Sequence, residues 1–144
     1  MIQTGTYERN LDAKGRLSLP AALRRDLSDR VYVVPALDVD ALYVFSAEDY
    51  EKWVMGLFEL RGGFNPRSRE DQQLMRKLNA TATAIEIDSA SRISLPEILR
   101  TRKGLDREVT VVGNFDHLEV WDRQKWEDAN AELNDDDLAA LFFN

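Results

Sequence analysis

Polar and apolar residues alternate from Arg16 to Leu19, with Arg16 and Ser18 set against Leu17 and Leu19, and the alternation returns at Arg92–Leu95. A period of two belongs to a strand with one buried face. A proline follows in both places, Pro20 or Pro96, and stops the strand; its fixed φ and missing N–H suit the first turn of a helix. Short helices are therefore predicted from Pro20 to about Leu27 and from Pro96 to about Lys103, with Gly104 placed for a left-handed cap. Next come β-branched and aromatic runs at 31–35 and 42–45, then at 109–113 and 118–121. Each pair is split by an Asp-containing turn and reads as a hairpin.

A helix is expected after each hairpin, capped by Ser46 or Asp122. Ser46-Ala47-Glu48-Asp49 resembles a capping box, and Tyr50, Trp53, Val54, Leu57 and Phe58 fall on one helical face, the spacing of a packed core. Trp126, Ala129 and Leu133 repeat this more weakly. Gly62-Gly63-Phe64-Asn65-Pro66 breaks the chain, Ser68 opens a helix carrying Leu74, Met75 and Leu78, and this linker segment also holds Arg67, Arg69, Arg76 and Lys77. Near the C-terminus, Asp135-Asp136-Asp137 followed by Leu138, Leu141 and Phe142 reads as an N-capped amphipathic turn whose apolar side needs a partner, its own body or a neighbouring subunit.

These elements are one unit written twice. Leu11–Arg24 lies on Ile87–Arg100 at an offset of 76, with seven of fourteen positions identical. Val31–Pro35 matches Val109–Gly113 after a two-residue shift, and Leu42–Ser46 matches Leu118–Asp122 with the shift cancelled. The expected organisation is a first module at 5–48, a helical linker at 49–80, a second module at 81–124 and a helical tail at 125–144, in an α+β, β-rich fold.

Composition narrows the chemistry. The chain has no Cys and a single histidine, His117, which removes thiol nucleophiles, disulfides, zinc–thiolate sites and multi-histidine metal centres. No apolar run approaches the roughly 20 residues that span a bilayer, and the N-terminus has no basic flank or apolar run, so a cytoplasmic protein without a membrane partner is expected. The formal charge of -7 speaks against a uniformly basic nucleic-acid coat, yet it is unevenly spread. Residues 31–60 carry -5 and 116–144 carry -7, whereas 1–30, 61–77 and 88–107 carry +2, +3 and +2. Potential is a local property, so basic segments on an acidic protein can still attract phosphate.

Within the repeat the recurring polar signal is Asp-x-x-x-Arg, at Asp12/Arg16 and Asp88/Arg92, where each copy turns into its strand. Across a tight turn the carboxylate can accept the guanidinium fork and fix its direction, and Gly15 permits a positive φ. Lys14, two residues from Arg16, would point the same way. A structural salt bridge accounts for one such spacing; recurrence in matching context weakens that account. Catalytic alternatives are poor. His117 reads as a surface-turn histidine without a nucleophile serine, and the pairs Asp38/Asp40 and Glu48/Asp49 sit at a hairpin turn and a helix N-terminus, where acids are expected. No phosphate loop is present, and neither a cofactor nor a small-molecule substrate is expected.

Thr4-Gly5-Thr6-Tyr7, the run from Leu11 to Pro20 and the degenerate second copy from Asp88 to Pro96 together resemble the bacterial MraZ family of transcriptional regulators, over about residues 4–130. The resemblance implies tandem swapped-hairpin modules of the AbrB/SpoVT type, forming one pseudo-two-fold, barrel-like core with peripheral helices. It also implies a homo-oligomer in a closed ring, nucleoid-associated, that binds repeated double-stranded DNA elements and usually represses the operon for cell division and cell-wall synthesis. Carried onto this chain, Lys14 and Arg16 become the DNA contacts and Asp12 the partner that orients Arg16. Arg92 and Asp88 hold the same places in copy two, and Arg9 is a further candidate near the first motif. Copy two has Ser89-Ala90-Ser91 in place of Ala13-Lys14-Gly15 and so lacks both the lysine and the glycine. An antitoxin-like, protein-binding module of the same fold is the alternative reading.

Overall fold

The computed structural model describes residues 2–144. Its elements in chain order are β1 (Thr6–Asn10), β2 (Arg16–Ser18), α1 (Ala21–Arg24), β3 (Arg30–Pro35), β4 (Ala41–Phe45), α2 (Ala47–Glu59), α3 (Arg69–Thr81), β5 (Thr83–Glu86), β6 (Arg92–Ser94), α4 (Glu97–Arg102), β7 (Glu108–Asn114), β8 (His117–Asp122), α5 (Arg123–Ala131) and α6 (Asp135–Phe143). The prolines act as their chemistry requires: Pro20 and Pro96 sit at the N-caps of α1 and α4, which are shorter than the spacing suggests. Gly104 takes φ +67 just past α4.

Six strands form one antiparallel sheet in the order β1-β7-β8-β4-β3-β5, and β2 pairs with β6 in a separate two-stranded sheet. At the centre β4 meets β8, with Leu42 opposite Val120. The outer pairings cross between distant parts of the chain: β1 runs against β7, Tyr7 opposite Val111, and β5 runs against β3, Ile85 opposite Val31. The expected barrel-like core is corrected here. Among the described residues the large sheet stays open, with β1 and β5 at its edges. The residues that would have to bridge those edges stop instead at β2 and β6, three residues each, ended by proline, and this short ribbon lies over one face as a lid. Leu17 and Ile93, opposite one another in the ribbon, are fully buried. They join Val31, Val33, Val44, Val109, Leu118 and Val120 of the sheet and Leu23 and Leu99 of the short helices in the main core.

A second core lies around the β3–β4 hairpin. Val34, Tyr43 and Phe45 pack with Tyr50, Val54 and Phe58 of α2, and Met75 and Leu78 of α3 close the cluster. Both long helices have the expected caps, Ser46 accepting from the Asp49 N–H and Ser68 from the Asp71 N–H. At Ser46 the reciprocal half of a capping box is absent: the Asp49 carboxylate accepts the Ser46 hydroxyl instead. The full reciprocal box occurs at α6, between Asn134 and Asp137. Among the described residues nothing covers the apolar side of α6, where Leu141, Phe142 and Phe143 are 73%, 76% and 87% exposed.

His117 departs from the expected surface turn. Phe115 and Asp116 make the turn, with Phe115 at φ 66, so His117 falls opposite Asn114 at the start of β8. Its ring tilts against Tyr43 and Phe45. Nδ1 lies 2.7 Å from Asp116 Oδ1 and Nε2 lies 2.9 Å from Glu119 Oε2; the protonated ring donates to both. Glu119 is buried and also accepts from Asn114 Nδ2 and Trp121 Nε1. Burial opposes the imidazolium, but the hydrogen bonds to Glu119 and Asp116 outweigh it and raise the His117 pKa. Burial likewise opposes the Glu119 carboxylate, and its three donors outweigh that and lower the pKa. A raised histidine pKa adds stability that is complete below the ordinary value of 6.5 and is lost as pH rises through the folded value. The thermal midpoint should therefore fall as pH rises above about 6.5, and His117→Gln should flatten that slope. A wild-type midpoint that rises over this window would contradict the assignment.

Candidate nucleic-acid interface

The two Asp-x-x-x-Arg segments fold into matching turns. In the first, Asp12 Oδ1 accepts the backbone N–H of Lys14 and of Arg16, both at 2.9 Å, and Oδ2 accepts Arg16 Nε at 2.6 Å. In the second, Asp88 Oδ1 accepts from the Ala90 and Arg92 N–H groups at 2.9 Å, and Oδ2 takes Arg92 Nε at 3.0 Å. Both turns close through a backbone bond, Gly15 N–H to Asp12 O and Ser91 N–H to Asp88 O. The residue before each arginine is left-handed, Gly15 at φ 75 and Ser91 at φ 59. Serine thus holds in copy two a conformation that glycine adopts without a Cβ penalty in copy one.

The carboxylate contact differs from the expected fork. Each aspartate holds its arginine through Nε alone, so neither Nη nitrogen of Arg16 or Arg92 has a partner among the described residues. The guanidinium is fixed in direction and keeps its outer donors available. The Arg16 N–H, foremost among the groups bonded to Asp12, holds that carboxyl down to about 2; the equivalent bonds to Asp88 also lower its pKa. Both carboxylates stay charged at neutral pH.

The ribbon brings the two arginines onto one side. Arg16 stands opposite Ser94, and Ser18 opposite Arg92. With Leu17 and Ile93 turned inward, strand alternation sends Arg16, Ser18, Arg92 and Ser94 outward, and the two serines are exposed. Two residues of strand separate the arginines lengthwise, about 7 Å. The face is a narrow antiparallel ribbon with one arginine and one serine side by side at each end. Such a ribbon is small enough for the major groove of B-form DNA, about 12 Å wide. Lys14 is exposed at the tip of the first turn, with its ammonium unpartnered among the described residues; Ala90 is its counterpart in the second.

Arg9 is placed apart from this ribbon. It lies on β1 opposite Val109, its Nη1 donates to Glu8 O at 2.8 Å, and its guanidinium sits 5.7 Å from the centre of the Tyr7 ring. No hydrogen bond or ion pair among the described residues links it to the Asp12 turn. Two arginines that the spacing of the motif does not single out, Arg100 and Arg107, share a cavity with Leu11, Asp12 and Ala13 beside the first turn. The repeat offset carries a signal for Arg100, which falls on Arg24, but only the pairing of the two halves shows that both arginines border the first motif.

Comparison with known proteins gives this geometry its family. A family model described as "MraZ protein, putative antitoxin-like" matches residues 2–61 and 78–142. A protein of Neisseria meningitidis named Transcriptional regulator MraZ is 37% identical over 143 residues, covering 96% of this chain and 92% of the relative. Its namesake in Lachnoclostridium phytofermentans is 34% identical over 135 residues, 94% of this chain and 91% of that one. Another from Neisseria gonorrhoeae is 37% identical with coverages of 96% and 92%. Family match and relatives both run through the two turns and the sheet between them, and the chain belongs to the MraZ family of transcriptional regulators.

Proposed function

We propose that this protein is a sequence-specific, double-stranded DNA-binding regulator, a repressor of the cell-division and cell-wall operon, which acts on repeated upstream elements through the first Asp-x-x-x-Arg turn. One observation carries the reading: Arg16 is anchored at Nε by Asp12 while its Nη donors stay free, on a ribbon face that also holds Arg92, beside the exposed Lys14. A pre-oriented guanidinium loses little freedom on meeting a guanine edge or a phosphate. The names of the relatives supply the regulatory context. Arg9 is assigned a peripheral phosphate contact.

The same reading takes residues 5–48 and 81–124 as duplicated swapped-hairpin modules, with 49–80 as linker and 125–144 as tail. The exchange of first strands, β1 onto β7 and β5 onto β3, supports it. A closed ring in the nucleoid completes the proposal. The uncovered apolar side of α6 is a candidate seam between subunits, and several modules on several repeats gain affinity through effective concentration. That exposed, acid-capped helix also favours a second reading, an antitoxin-like protein-binding module.

Fluorescence anisotropy with duplex DNA from upstream of the protein's own coding sequence separates the two. The DNA reading expects tight binding that weakens steeply between about 50 and 200 mM salt, and far weaker binding to a shuffled duplex. Equal binding to both duplexes removes sequence specificity, and no binding to either favours the protein partner.

A further inference from the structure

Arg100 belongs to α4, in the second half of the chain, yet it rests on the turn of the first motif. Its Nε donates to Leu95 O at 3.0 Å, and its guanidinium lies so close over Gly15 that a Cβ there would fall 2.5 Å from Cζ. Arg107 borders the same open cavity of about 480 Å³, which reaches the turn at Asp12 and Ala13.

The other end of the ribbon provides an internal control, because both ends are built on one backbone frame. Leu95 N–H bonds Gly15 O at 3.0 Å, as Leu19 N–H bonds Ser91 O at 2.9 Å. Leu11 N–H bonds Arg107 O at 2.8 Å, as Ile87 N–H bonds Asp29 O at 2.8 Å. Gly15, Arg100 and Arg107 therefore correspond to Ser91, Arg24 and Asp29. The filling differs at every point that affects charge. Ser91 puts a Cβ where Gly15 leaves room, and Arg24 is turned aside, Nη1 donating to Leu27 O at 2.6 Å and Nη2 to Asp29 Oδ1 at 3.4 Å. At the first end Arg100 shares its cavity with an arginine, where Arg24 pairs with an aspartate. The Nη groups of Arg100 and the Arg107 guanidinium have no partner among the described residues.

The charge balance follows. Lys14, Arg16, Arg100 and Arg107 stand against Asp12 and Asp106 at the first end, while Arg92 and Arg24 stand against Asp88 and Asp29 at the second. Asp12 is already committed to Arg16, which leaves Asp106 as the one carboxylate lining the cavity that offsets the added arginines. Two unpaired guanidinium groups beside a turn that exposes a lysine form a seat for a tetrahedral dianion or monoanion with several acceptor oxygens. On a duplex-binding face, that anion is a backbone phosphate next to the bases reached by Arg16.

We infer that Arg100 and Arg107, from the second half of the chain, complete a binding site for a DNA backbone phosphate at the first motif, and that this site is absent at the second. The inference rests on the DNA-binding reading above. It gives the second half a direct task at the first motif: the halves interlock so that copy two arms copy one.

The test is anisotropy with the upstream duplex across a salt series, for wild type, Arg100→Ala, Arg107→Ala, Arg16→Ala and the matched control Arg24→Ala, each checked for an unchanged circular dichroism spectrum. Arg107 is exposed, so its variant isolates DNA binding from folding even if Arg100→Ala loosens α4. Arg100→Ala and Arg107→Ala should each weaken binding about tenfold at low salt and lower the slope of log K against log salt by about one, with Arg24→Ala unchanged in both. An intact slope and affinity in Arg107→Ala, with binding lost in Arg16→Ala, overturns this inference and leaves the functional reading standing. Intact binding in Arg16→Ala overturns both. An equal loss in Arg24→Ala overturns the claimed asymmetry.

Discussion

Arg16→Ala is expected to cost roughly ten- to a hundredfold in affinity for the upstream duplex, with the fold retained. The magnitude follows from losing one well-oriented guanidinium contact to a base edge, about 1–3 kcal/mol. The fold should survive because the Arg16–Asp12 pair is solvent-accessible, and the turn keeps its backbone bonds to Asp12, the Lys14 and residue-16 N–H groups to Oδ1 and Gly15 N–H to the carbonyl. Arg16→Lys should rescue little. An ammonium has no Nε to give to Asp12 while two further nitrogens face outward, so charge is kept and direction is lost. Measured by anisotropy at fixed salt, an Arg16→Lys variant with wild-type affinity would show that only net charge matters there. Asp12→Asn should fall between the two substitutions, since the backbone can still bond the amide oxygen while the ionic anchor for Nε is gone.

The largest effect on stability is expected at the centre of the ribbon. Leu17 and Ile93 face each other with no exposed surface, and each truncation leaves a cavity between the lid and the sheet. Leu17→Ala and Ile93→Ala should each cost about 2–5 kcal/mol, a large part of the 5–15 kcal/mol typical of a domain. Because the two side chains share one space, the double variant should cost less than the sum, with a coupling of at least about 0.5 kcal/mol. Urea titration of the four proteins provides the cycle. Strict additivity would mean that the two do not pack as partners. The same variants bear on function, because Leu17 lies beside Arg16 and Ile93 beside Arg92, so a loosened ribbon also loses the fixed directions of its arginines.

Much of this molecule is legible along the chain because its signals are local. Alternation marks β2 and β6, proline ends them, and Ser46, Ser68 and Asp122 cap helices by reaching an N–H three residues on. The Asp12–Arg16 and Asp88–Arg92 pairs are equally local, four residues apart within a turn. What was not legible depends on partners far apart in sequence. The open sheet is decided by β1 choosing β7 and by β5 choosing β3, which no periodicity encodes. His117 resembles a turn residue until Glu119, two residues on along the same strand face, is seen buried beneath it with Trp121 as a further donor. Arg100 and Arg107 carry ordinary surface charges in sequence, and the role proposed for them depends on Leu11 being hydrogen-bonded to Arg107 and Gly15 covered by Arg100.

The acidic balance also takes a different meaning in three dimensions. The chain totals -7, but the end of the ribbon with Lys14, Arg16, Arg100 and Arg107 holds more cations than acids, and the nine acids of 116–144 lie mainly in β8, α5 and α6. A protein with one basic end and acidic surfaces elsewhere can engage DNA by one face and resist non-specific coating.

In the proposed interface the first turn, with Lys14, Arg16 and the Arg100–Arg107 pair, meets DNA more closely than its copy. The absence of cysteine permits a direct measurement: Ala13→Cys and Ser89→Cys, equivalent exposed positions within the two motifs, each labelled with a tethered DNA-cleaving iron chelate and bound to the upstream duplex. Localised strand cleavage within each repeated element is expected from position 13, and markedly weaker cleavage from position 89. Equal cleavage from both, or cleavage from position 89 alone, would contradict that interface.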